Sequence, residues 1–511
     1  KTGASTNISN RAVQNLPNLT RSLTNLTRIT PQQNDNGFAG MNKRFNNITI
    51  DGSLFNNNFG RSGDGMIPGG AVSAISVDAI DQVQVNISPF DVRQAGFSGG
   101  GINAVTRRGT NNWYGTVYGF YRNQDFTGKK VLEQTIDNPK RSNKTFGASI
   151  GGPIIKDKLF FFVNYEMENR TQPGQTFVAK KNDDDKGPNV TAVLASDLDR
   201  LRKHLMDNYQ YDPGIYQGYD FETENKKFLA RVDWNITSKH RLTLRYTQSN
   251  TDDDDQINSS SVTGISGVPR INNSRRGGTT GGMAYNGSNF KNNVKVWSGV
   301  AELNSNFSSR VSNQLLVSYT DNELKRVPNS TASFVDIMQA GNENNVYISF
   351  GTDLFSYRNE ISDKALNIAN NITVNLGKHT LTGGVSYEYM KFANSFTSAG
   401  GPSYYRYASV DAFINGDAPT VFAVAYDPNN RLGIRVPEAK FAQIGYYVQD
   451  IWTVSKNFKL TYGVRFDQPN YPYDPPRNPA LEKVVFKDPD GNNEQFDVSK
   501  WPGKKVLVSP R

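Results

Sequence analysis

The chain has 511 residues, of which 36% are hydrophobic, and its mean hydropathy is -0.60. It contains no run of about eighteen consecutive apolar residues, which excludes a membrane protein built from transmembrane helices. The net charge of +9 comes from Lys and Arg spread over many segments, so it does not indicate a nucleic-acid-binding protein. The absence of cysteine fits a chain that crosses an oxidising compartment without disulfide bonds.

Residues 1–110 predict a small separate domain, in which Asn and Gly dominate and apolar runs are short. Residues 47–52 predict a strand ending in a tight turn, because Asp51-Gly52 supplies the positive φ angles that such a turn requires. Residues 76–85 predict a short helical turn that runs into a strand. A glycine-rich segment at 96–106 then leads into the next region.

From about residue 111 onward, apolar and polar residues alternate in long runs. In one run the apolar face consists of Phe228, Ala230, Val232, Trp234 and Ile236. The opposite face carries Arg231, Asp233 and Asn235. Runs at 159–168, 241–247, 311–320 and 458–467 divide in the same way, although Phe160 and Phe162 interrupt one polar face. A barrel strand in a membrane needs this division, because one face meets lipid and the other meets the lumen.

Five short basic turns join these runs in pairs, at 156–158, 237–240, 308–310, 377–379 and 455–457. The connections between pairs are long and rich in Gly, Asn, Asp and Tyr. We place them at about 123–141, 171–224, 251–290, 326–358, 397–438 and 468–508. Short periplasmic turns and long extracellular loops are typical of transmembrane β-barrels of the outer membrane. Residues 111–511 are therefore predicted to be the N-terminal portion of an antiparallel transmembrane β-barrel.

A soluble antiparallel sandwich is the competing interpretation, because its strands also alternate. A sandwich keeps charged residues on its solvated faces and has loops of similar length at both ends. Here charges recur on strand after strand, and the long loops lie on one side only. The barrel is therefore the preferred interpretation.

Four motifs of the N-terminal segment carry a family resemblance. They are Ile50-Asp51-Gly52, Ile80-Asp81-Gln82-Val83-Gln84-Val85, Pro89 and Gly100-Gly101-Ile102-Asn103-Ala104-Val105-Thr106. They resemble the plug domain of TonB-dependent outer-membrane transporters. Residues 88–94 together with 56–60 are similar to the Oar-like branch of this family, which is common in Bacteroidota and myxobacteria. In the barrel portion, 447–452 followed by 460–467 resembles the hairpin typical of these receptors.

The resemblance implies a barrel of about 22 strands in the complete protein, with an N-terminal α+β plug domain inside its lumen. About eleven strands can be counted here, so the sequence is expected to be a portion of a longer protein. No signal peptide opens the chain at Lys1, so any leader is expected to have been removed or to lie outside the sequence. A lipoprotein lid is not implied, because Val85 runs into Asn86-Ile87-Ser88-Pro89 instead of the segment usual in glycan importers.

The resemblance also implies the partners. The barrel would be surrounded by outer-membrane lipid. TonB would couple energy to it through a region that is not in this chain, because no convincing TonB box precedes the plug motifs. The predicted function is TonB-dependent reception and transport, in which a ligand bound at extracellular loops and plug passes to the periplasm. The alternative is a scaffold or adhesin subunit of a larger outer-membrane complex with a static plug, whose partners would be other outer-membrane proteins.

Ligand contacts are expected at the plug apex and in the loops. The plug-apex candidates are Asn56, Asn57, Asn58, Phe59, Arg61, Phe90, Asp91 and Arg93, and plain packing of the plug is the alternative for each. The loop candidates are Tyr404, Tyr405 and Tyr407, whose rings either stack on a ligand or pack a large loop. In another loop a helix is predicted, because Leu194, Leu198, Leu201 and Leu205 fall at helical spacing. A lid helix that buries this stripe against neighbouring loops is favoured over a ligand groove.

No cofactor, metal site or activated nucleophile is predicted, so the chain is not expected to be an enzyme. The acidic runs 183–185 and 252–255 lack the Gly and closing Glu of a calcium loop and are interpreted as solvated loop tips. The three histidines, His204, His240 and His379, are far apart in the sequence. Glu166 and Glu168 share a lumen face and are expected to meet arginines of the plug. The ligand cannot be inferred from the predicted fold.

Overall fold

A computed structural model describes residues 4–16, 18, 21–34, 37–56, 73–87, 90–135, 138–258, 281–396, 403–425, 436–475, 477–494, 501 and 505–511. These residues form an N-terminal domain, a twelve-stranded antiparallel sheet and an outer layer built from the long connections. None of the helices in these ranges is long and apolar enough to span a membrane.

The N-terminal domain is built on a five-stranded sheet. In pairing order its strands are Ala4–Ile8, Ile80–Ile87, Gly100–Thr106, Asn47–Ile50 and Ser53–Leu54. Its α-helices are Asn10–Asn15 and Leu23–Leu26, and its 3-10 helices are Thr27–Ile29, Lys43–Phe45 and Val77–Ala79. The last of these runs directly into Ile80–Ile87, which confirms the predicted helical turn and strand. Asp51 and Gly52 have φ angles of 46° and 82°, which confirms the predicted tight turn.

The twelve-stranded sheet is a meander in which each strand pairs with the next along the chain. Its strands are Tyr114–Asn123, Ser142–Ile155, Leu159–Pro173, Asp220–Asn235, His240–Asp255, Phe290–Asn306, Val311–Pro328, Glu360–Leu376, His379–Ser395, Glu438–Thr453, Lys459–Asn470 and Leu507–Pro510. The count is one higher than the eleven or so expected. The added strand, Leu507–Pro510, pairs with only four residues of its neighbour.

In this sheet the apolar face is exposed and the polar face is buried, which is the reverse of a soluble sandwich. Trp234 and Leu244 on the apolar face are 40% and 44% exposed, whereas Asp233 and Arg245 on the polar face are 1% and 3% exposed. A soluble sheet would bury the apolar face instead. The alternation is therefore that of a wall whose apolar side meets lipid, and the sandwich interpretation is wrong.

Apolar residues on the inner face of the wall have a structural reason. Phe162, which interrupts a polar face in the sequence, is fully buried in the same apolar cluster as the core of the N-terminal domain. Five further wall residues join this cluster, namely Leu229, Val294, Val296, Leu324 and Ile361. The core of the N-terminal domain thus accounts for these six apolar residues on the inner face of the wall.

The long connections fold together into a layer that we call the cap. Its principal sheet has the strand order Met283–Ala284, Asn342–Phe350, Phe334–Gln339, Tyr404–Tyr407 and Val421–Ala423. Its other elements are strands Val178–Lys180 and Val190–Leu194, helices Ala195–Tyr209 and Val410–Ile414, and the 3-10 helix Asn286–Ser288. The remaining short elements of the chain are the 3-10 helices Gln124–Phe126 and Leu481–Lys483 and the strand pairs Gln33–Asn34 with Gly37–Phe38, Lys130–Val131 with Gln134–Thr135, and Phe486–Lys487 with Asn493–Glu494.

The helix Ala195–Tyr209 confirms the predicted Leu stripe. Leu198, Leu201 and Leu205 are buried in one core with residues of three other connections, so the lid-helix interpretation is confirmed. The residue after the helix, Gln210, caps it in the left-handed region at φ 52°.

Tyr347 ties the cap strand Asn342–Phe350 to the start of this helix. Its hydroxyl donates to Asp197 Oδ2 at 2.9 Å and accepts from the Leu194 amide at 2.9 Å. Burial, with the Asp197 carboxylate beside the hydroxyl, raises the pKa of Tyr347 to about 12. The hydroxyl therefore stays protonated and keeps both bonds at neutral pH.

Substitution of Leu201 by Ala is expected to loosen the cap without unfolding the wall. Loss of a fully buried Leu side chain costs about 2–5 kcal/mol. Hydrogen exchange should therefore accelerate in the helix Ala195–Tyr209 and in the strand Asn342–Phe350, while the wall strands keep their protection.

The matched control is M206A on the same helix, because the Met206 side chain is 47% exposed. It should leave the exchange rates unchanged. Identical exchange in L201A and in the unmodified protein would contradict a shared cap core.

Candidate functional site

The turn at residues 51–53 of the N-terminal domain contacts the inner face of the wall. The Ser53 hydroxyl lies 2.6 Å from Ser298 Oγ and 2.9 Å from Thr320 Oγ1, both on neighbouring wall strands. A Cβ added to Gly52 would lie 2.7 Å from Leu316 Cδ2, and the φ of Gly52 is positive. Both the backbone conformation and the close approach therefore favour glycine at this position.

Asp51, in the same turn, is the centre of a buried charge cluster. Its carboxylate accepts hydrogen bonds from the amide and hydroxyl of Thr106, at 3.0 and 2.6 Å. Nη1 of Arg231 and Nη1 of Arg245 approach it at 3.6 and 3.7 Å from the wall. Arg245 also donates to the Ile50 carbonyl at 2.8 Å, and its side chain is fully buried. Two wall cations therefore converge on one carboxylate of the N-terminal domain.

A second cluster has the opposite arrangement, with the carboxylate on the wall. Glu166 accepts from Lys227 Nζ at 2.8 Å and from the Ser76 hydroxyl at 2.7 Å. Arg21 of the N-terminal domain approaches Glu166 at 3.6 Å, which confirms that Glu166 meets an arginine of this domain. The same expectation is wrong for Glu168, which pairs within the wall and lies 3.6 Å from Lys227 Nζ.

A third contact fixes the segment that follows residue 90. Val92 donates its amide to Gln449 at 3.2 Å and accepts at its carbonyl from Arg465 at 3.0 Å. Beside it, Arg93 Nη2 lies 2.6 Å from Asp91 Oδ2. Burial alone would raise the pKa of Asp91, but the hydrogen bonds from Arg93 lower it below its usual value. Asp91 is therefore ionised at neutral pH.

Between these contacts lies a cavity of about 690 Å³, bounded by the polar face of the N-terminal sheet and the inner face of the wall. Ten carboxamides line it: Asn47, Asn56, Gln84, Asn86, Gln94, Asn103, Gln314, Asn367, Asn371 and Gln443. Its charged lining residues are Asp51, Asp91, Arg93, Arg231, Glu302, Glu388 and Arg465. Carboxamides both donate and accept hydrogen bonds, so the cavity suits a polar ligand. We take it as the candidate functional site.

The cavity brings together some of the predicted plug-apex residues. Asn56, Asp91 and Arg93 line it, and Asn56 also accepts from the Ile48 amide at 2.7 Å. Phe90 is 51% exposed and is not among the lining residues. The other predicted apex residues, Asn57, Asn58, Phe59 and Arg61, lie outside the described residues.

The predicted loop tyrosines lie in the cap. Tyr404 is fully buried and its hydroxyl donates to Asp336 at 2.9 Å. Tyr405 and Tyr407 are half-buried. Their rings lie 5.0 Å from those of Phe422 and Phe413, respectively.

The two acidic runs lie in different parts of the structure. Residues 252–255 belong to the wall strand His240–Asp255, so the expected loop tip is wrong there. The strand extends further outward than predicted, and its pairing separates these side chains onto alternate faces. Asp183 lies 2.7 Å from Lys180 Nζ at an exposed turn. Among the described residues, no group of His, Cys, Asp and Glu is arranged to hold a metal ion.

Sequence reasoning missed the wall arginines that hold the N-terminal domain, although a local signal exists. Arg231 bonds Asp233 at 2.8 Å, and Arg465 bonds Asp467 at 2.9 Å, each pair two residues apart on one strand face. The remaining guanidinium nitrogen of Arg231, Nη1, then points into the lumen and donates to the Thr106 carbonyl at 3.0 Å. In the same way, Arg465 Nη1 donates to the Val92 carbonyl. In both cases the pattern Arg-x-Asp on the lumen face identifies an arginine that binds the N-terminal domain.

Substitution of Asp51 by Ala is expected to weaken the docking of the N-terminal domain. The substitution removes the carboxylate that faces the buried cations Arg231 and Arg245. Loss of one partner of a buried ion pair costs about 3–5 kcal/mol of stability. Hydrogen exchange in Asn47–Ile50 and Gly100–Thr106 should accelerate at urea concentrations that leave the wall folded. The double variant D51A/R245M should recover part of the loss, because it removes one buried cation.

The control is D81A, since Asp81 is exposed in the same domain. Equal protection of D51A and the unmodified protein would show that docking does not depend on this charge cluster.

The family model of the outer membrane beta barrel domain matches residues 105–506. The TonB-dependent transporter Oar of Myxococcus xanthus is 26% identical over 238 residues, which cover 44% of this chain and 20% of that protein. The outer membrane transporter YddB from Escherichia coli superposes with a TM-score of 0.62 at 13% identity, covering 91% of this chain and 56% of that structure.

A mutant form of the ferric enterobactin receptor PfeA from Pseudomonas aeruginosa superposes with a TM-score of 0.54 at 13% identity. That match covers 91% of this chain and 57% of the receptor. The chain thus spans about a fifth of the length of the curated relative and just over half of the solved structures, whose likeness shows the fold alone. These relatives are transporters and receptors, not enzymes. Because the matched family model covers more than half of its residues, the chain belongs to the outer membrane beta barrel domain family and is an outer-membrane protein.

Proposed function

We propose that this chain is the plug and part of the wall of a TonB-dependent outer-membrane receptor that transports its ligand. Residues 1–110 are the plug, and residues 111–511 are barrel with extracellular loops. The resemblance to the transporter Oar supports transport. TonB is the proposed partner, acting through a region that is not in this chain.

The polar contact between N-terminal domain and wall carries the proposal. Arg231, Arg245 and Arg465 hold the domain through ion pairs and carbonyl contacts. Hydrogen bonds to charged groups exchange with water and contribute a net free energy of only about 1.5–3 kcal/mol each, so a force on the domain can release them in sequence. A static scaffold would not need polar contacts that water can replace between the N-terminal domain and the wall around a polar cavity.

The cavity is the proposed start of the passage. Its volume lies within the range of small-molecule sites, about 300–1,000 Å³. Asn56, Asp91 and Arg93 are the proposed ligand contacts on the N-terminal domain. Tyr405 and Tyr407 are proposed as stacking surfaces in the cap, and Tyr404 as the buried anchor of their strand.

The variant S53C/S298C tests whether the domain must move. The two hydroxyl oxygens are 2.6 Å apart, close to a disulfide length of about 2.0 Å, and the chain contains no other cysteine. In a medium where cells lacking the protein grow poorly, the oxidised variant should fail to restore growth. A reducing agent should restore it.

The matched control is S298C/T320C, because these two residues face each other on adjacent wall strands and a bridge between them tethers only the wall. It should support growth in both redox states. Full growth with oxidised S53C/S298C would contradict a moving plug and favour the scaffold or adhesin alternative.

A further inference from the structure

The five short turns of the wall form a basic edge, which we call the turn rim. It comprises residues 156–158, 236–239, 307–310, 377–378 and 454–458, between the paired wall strands. Its basic residues are Lys156, Lys158, Lys239, Arg310, Lys378 and Lys456, and Asp157 is its acidic residue. All of these charged residues are exposed.

The rim differs in charge from the longest connection at the opposite edge of the wall, residues 174–219. The connection at 174–219 has six basic and seven acidic residues, so its charges balance. Several of them pair locally, as Lys203 does with Asp207 at 2.6 Å. Among the described residues, no ion pair involves any of the six basic rim residues. Asp157 is engaged by Asn111, whose amide Nδ2 donates to it at 2.5 Å.

The backbone of the rim is held, whereas its basic side chains extend into solvent. Each hairpin donates an amide to a basic residue of the preceding turn. These bonds run from Asn235 to the Lys158 carbonyl at 2.8 Å, from Asn306 to Lys239 at 2.8 Å, from Asn375 to Arg310 at 2.8 Å and from Thr453 to Lys378 at 2.7 Å. Successive turns are two strands apart, or about 10 Å. The rim is therefore a preorganised row of cations.

Large apolar side chains lie next to these cations and are also exposed. They are Ile155, Trp234, Phe307, Leu376 and Phe458, each 40–55% exposed. Basic groups beside exposed aromatic and aliphatic groups are typical of the boundary between hydrocarbon and lipid headgroups. This composition distinguishes the rim from a surface that only attracts soluble anions.

We propose that the turn rim binds the phosphate headgroups of anionic phospholipids in the adjoining leaflet. The ammonium and guanidinium groups pair with lipid phosphates, and the apolar side chains lie against the first acyl carbons. The row thereby fixes the depth of the wall in the membrane. This inference rests on the barrel family alone and does not require transport.

The test measures lipid binding to the purified protein in neutral detergent. Phosphatidylglycerol is titrated into the micelles, and bound lipids are counted by native mass spectrometry. The variant K156Q/K158Q/K239Q/R310Q/K378Q should bind this lipid about tenfold more weakly than the unmodified protein, because each cation near an anionic headgroup contributes to the attraction. High salt should weaken binding to the unmodified protein, since it screens these charges.

The control variant K129Q/K140Q/K181Q/K186Q/K203Q removes five exposed lysines from the opposite edge and should bind as the unmodified protein does. Phosphatidylcholine should bind equally weakly to all three proteins. Equal phosphatidylglycerol affinity in the rim variant and the unmodified protein would overturn the proposal. Full competition by millimolar inorganic phosphate would also overturn it, because the rim would then be a site for free anions.

Discussion

Lipid on the outer side of the wall forces the polar side chains of the wall strands to the inner face, where charges must find partners. The N-terminal domain supplies several of them. Asp51 faces Arg231 and Arg245, and Arg21 approaches Glu166. The lipid that requires an apolar outer face of the wall thus also leaves a charged inner face, and this inner face binds a polar domain. Removal of that domain would leave a row of buried charges without these partners.

The contacts that hold the N-terminal domain are specific and mainly polar. Arg231 and Arg465 are each oriented by an aspartate two residues away, so the guanidinium presents its remaining nitrogen to a backbone carbonyl in a fixed direction. Apolar contact involves Phe162 and five further wall residues that pack against the core of the N-terminal domain. Polar contacts of this kind are strong while dry and weaken when water enters.

The two edges of the wall follow different physical rules. The turns at one edge are too short to build a core, so their basic side chains remain solvated. The connections at the other edge are long enough to bury Leu198, Ile337 and Phe413 together, and they form the cap. Loops that share a core move together and not one by one, so the cap presents a single surface to the outside.

The residues by themselves determined the alternating strands, the basic turns, the Asp51-Gly52 turn and the leucine helix, because each depends on neighbours two to four positions away. They did not reveal that Ile50 meets Arg245, 195 residues apart, or that Asn56 and Arg465 line one cavity. Nor did they show that residues 252–255 continue a strand, since pairing with the next strand decides where a strand ends. These features arise only when the wall places distant segments around the N-terminal domain, because charge pairing and cavity shape depend on distance in space and not on spacing along the chain.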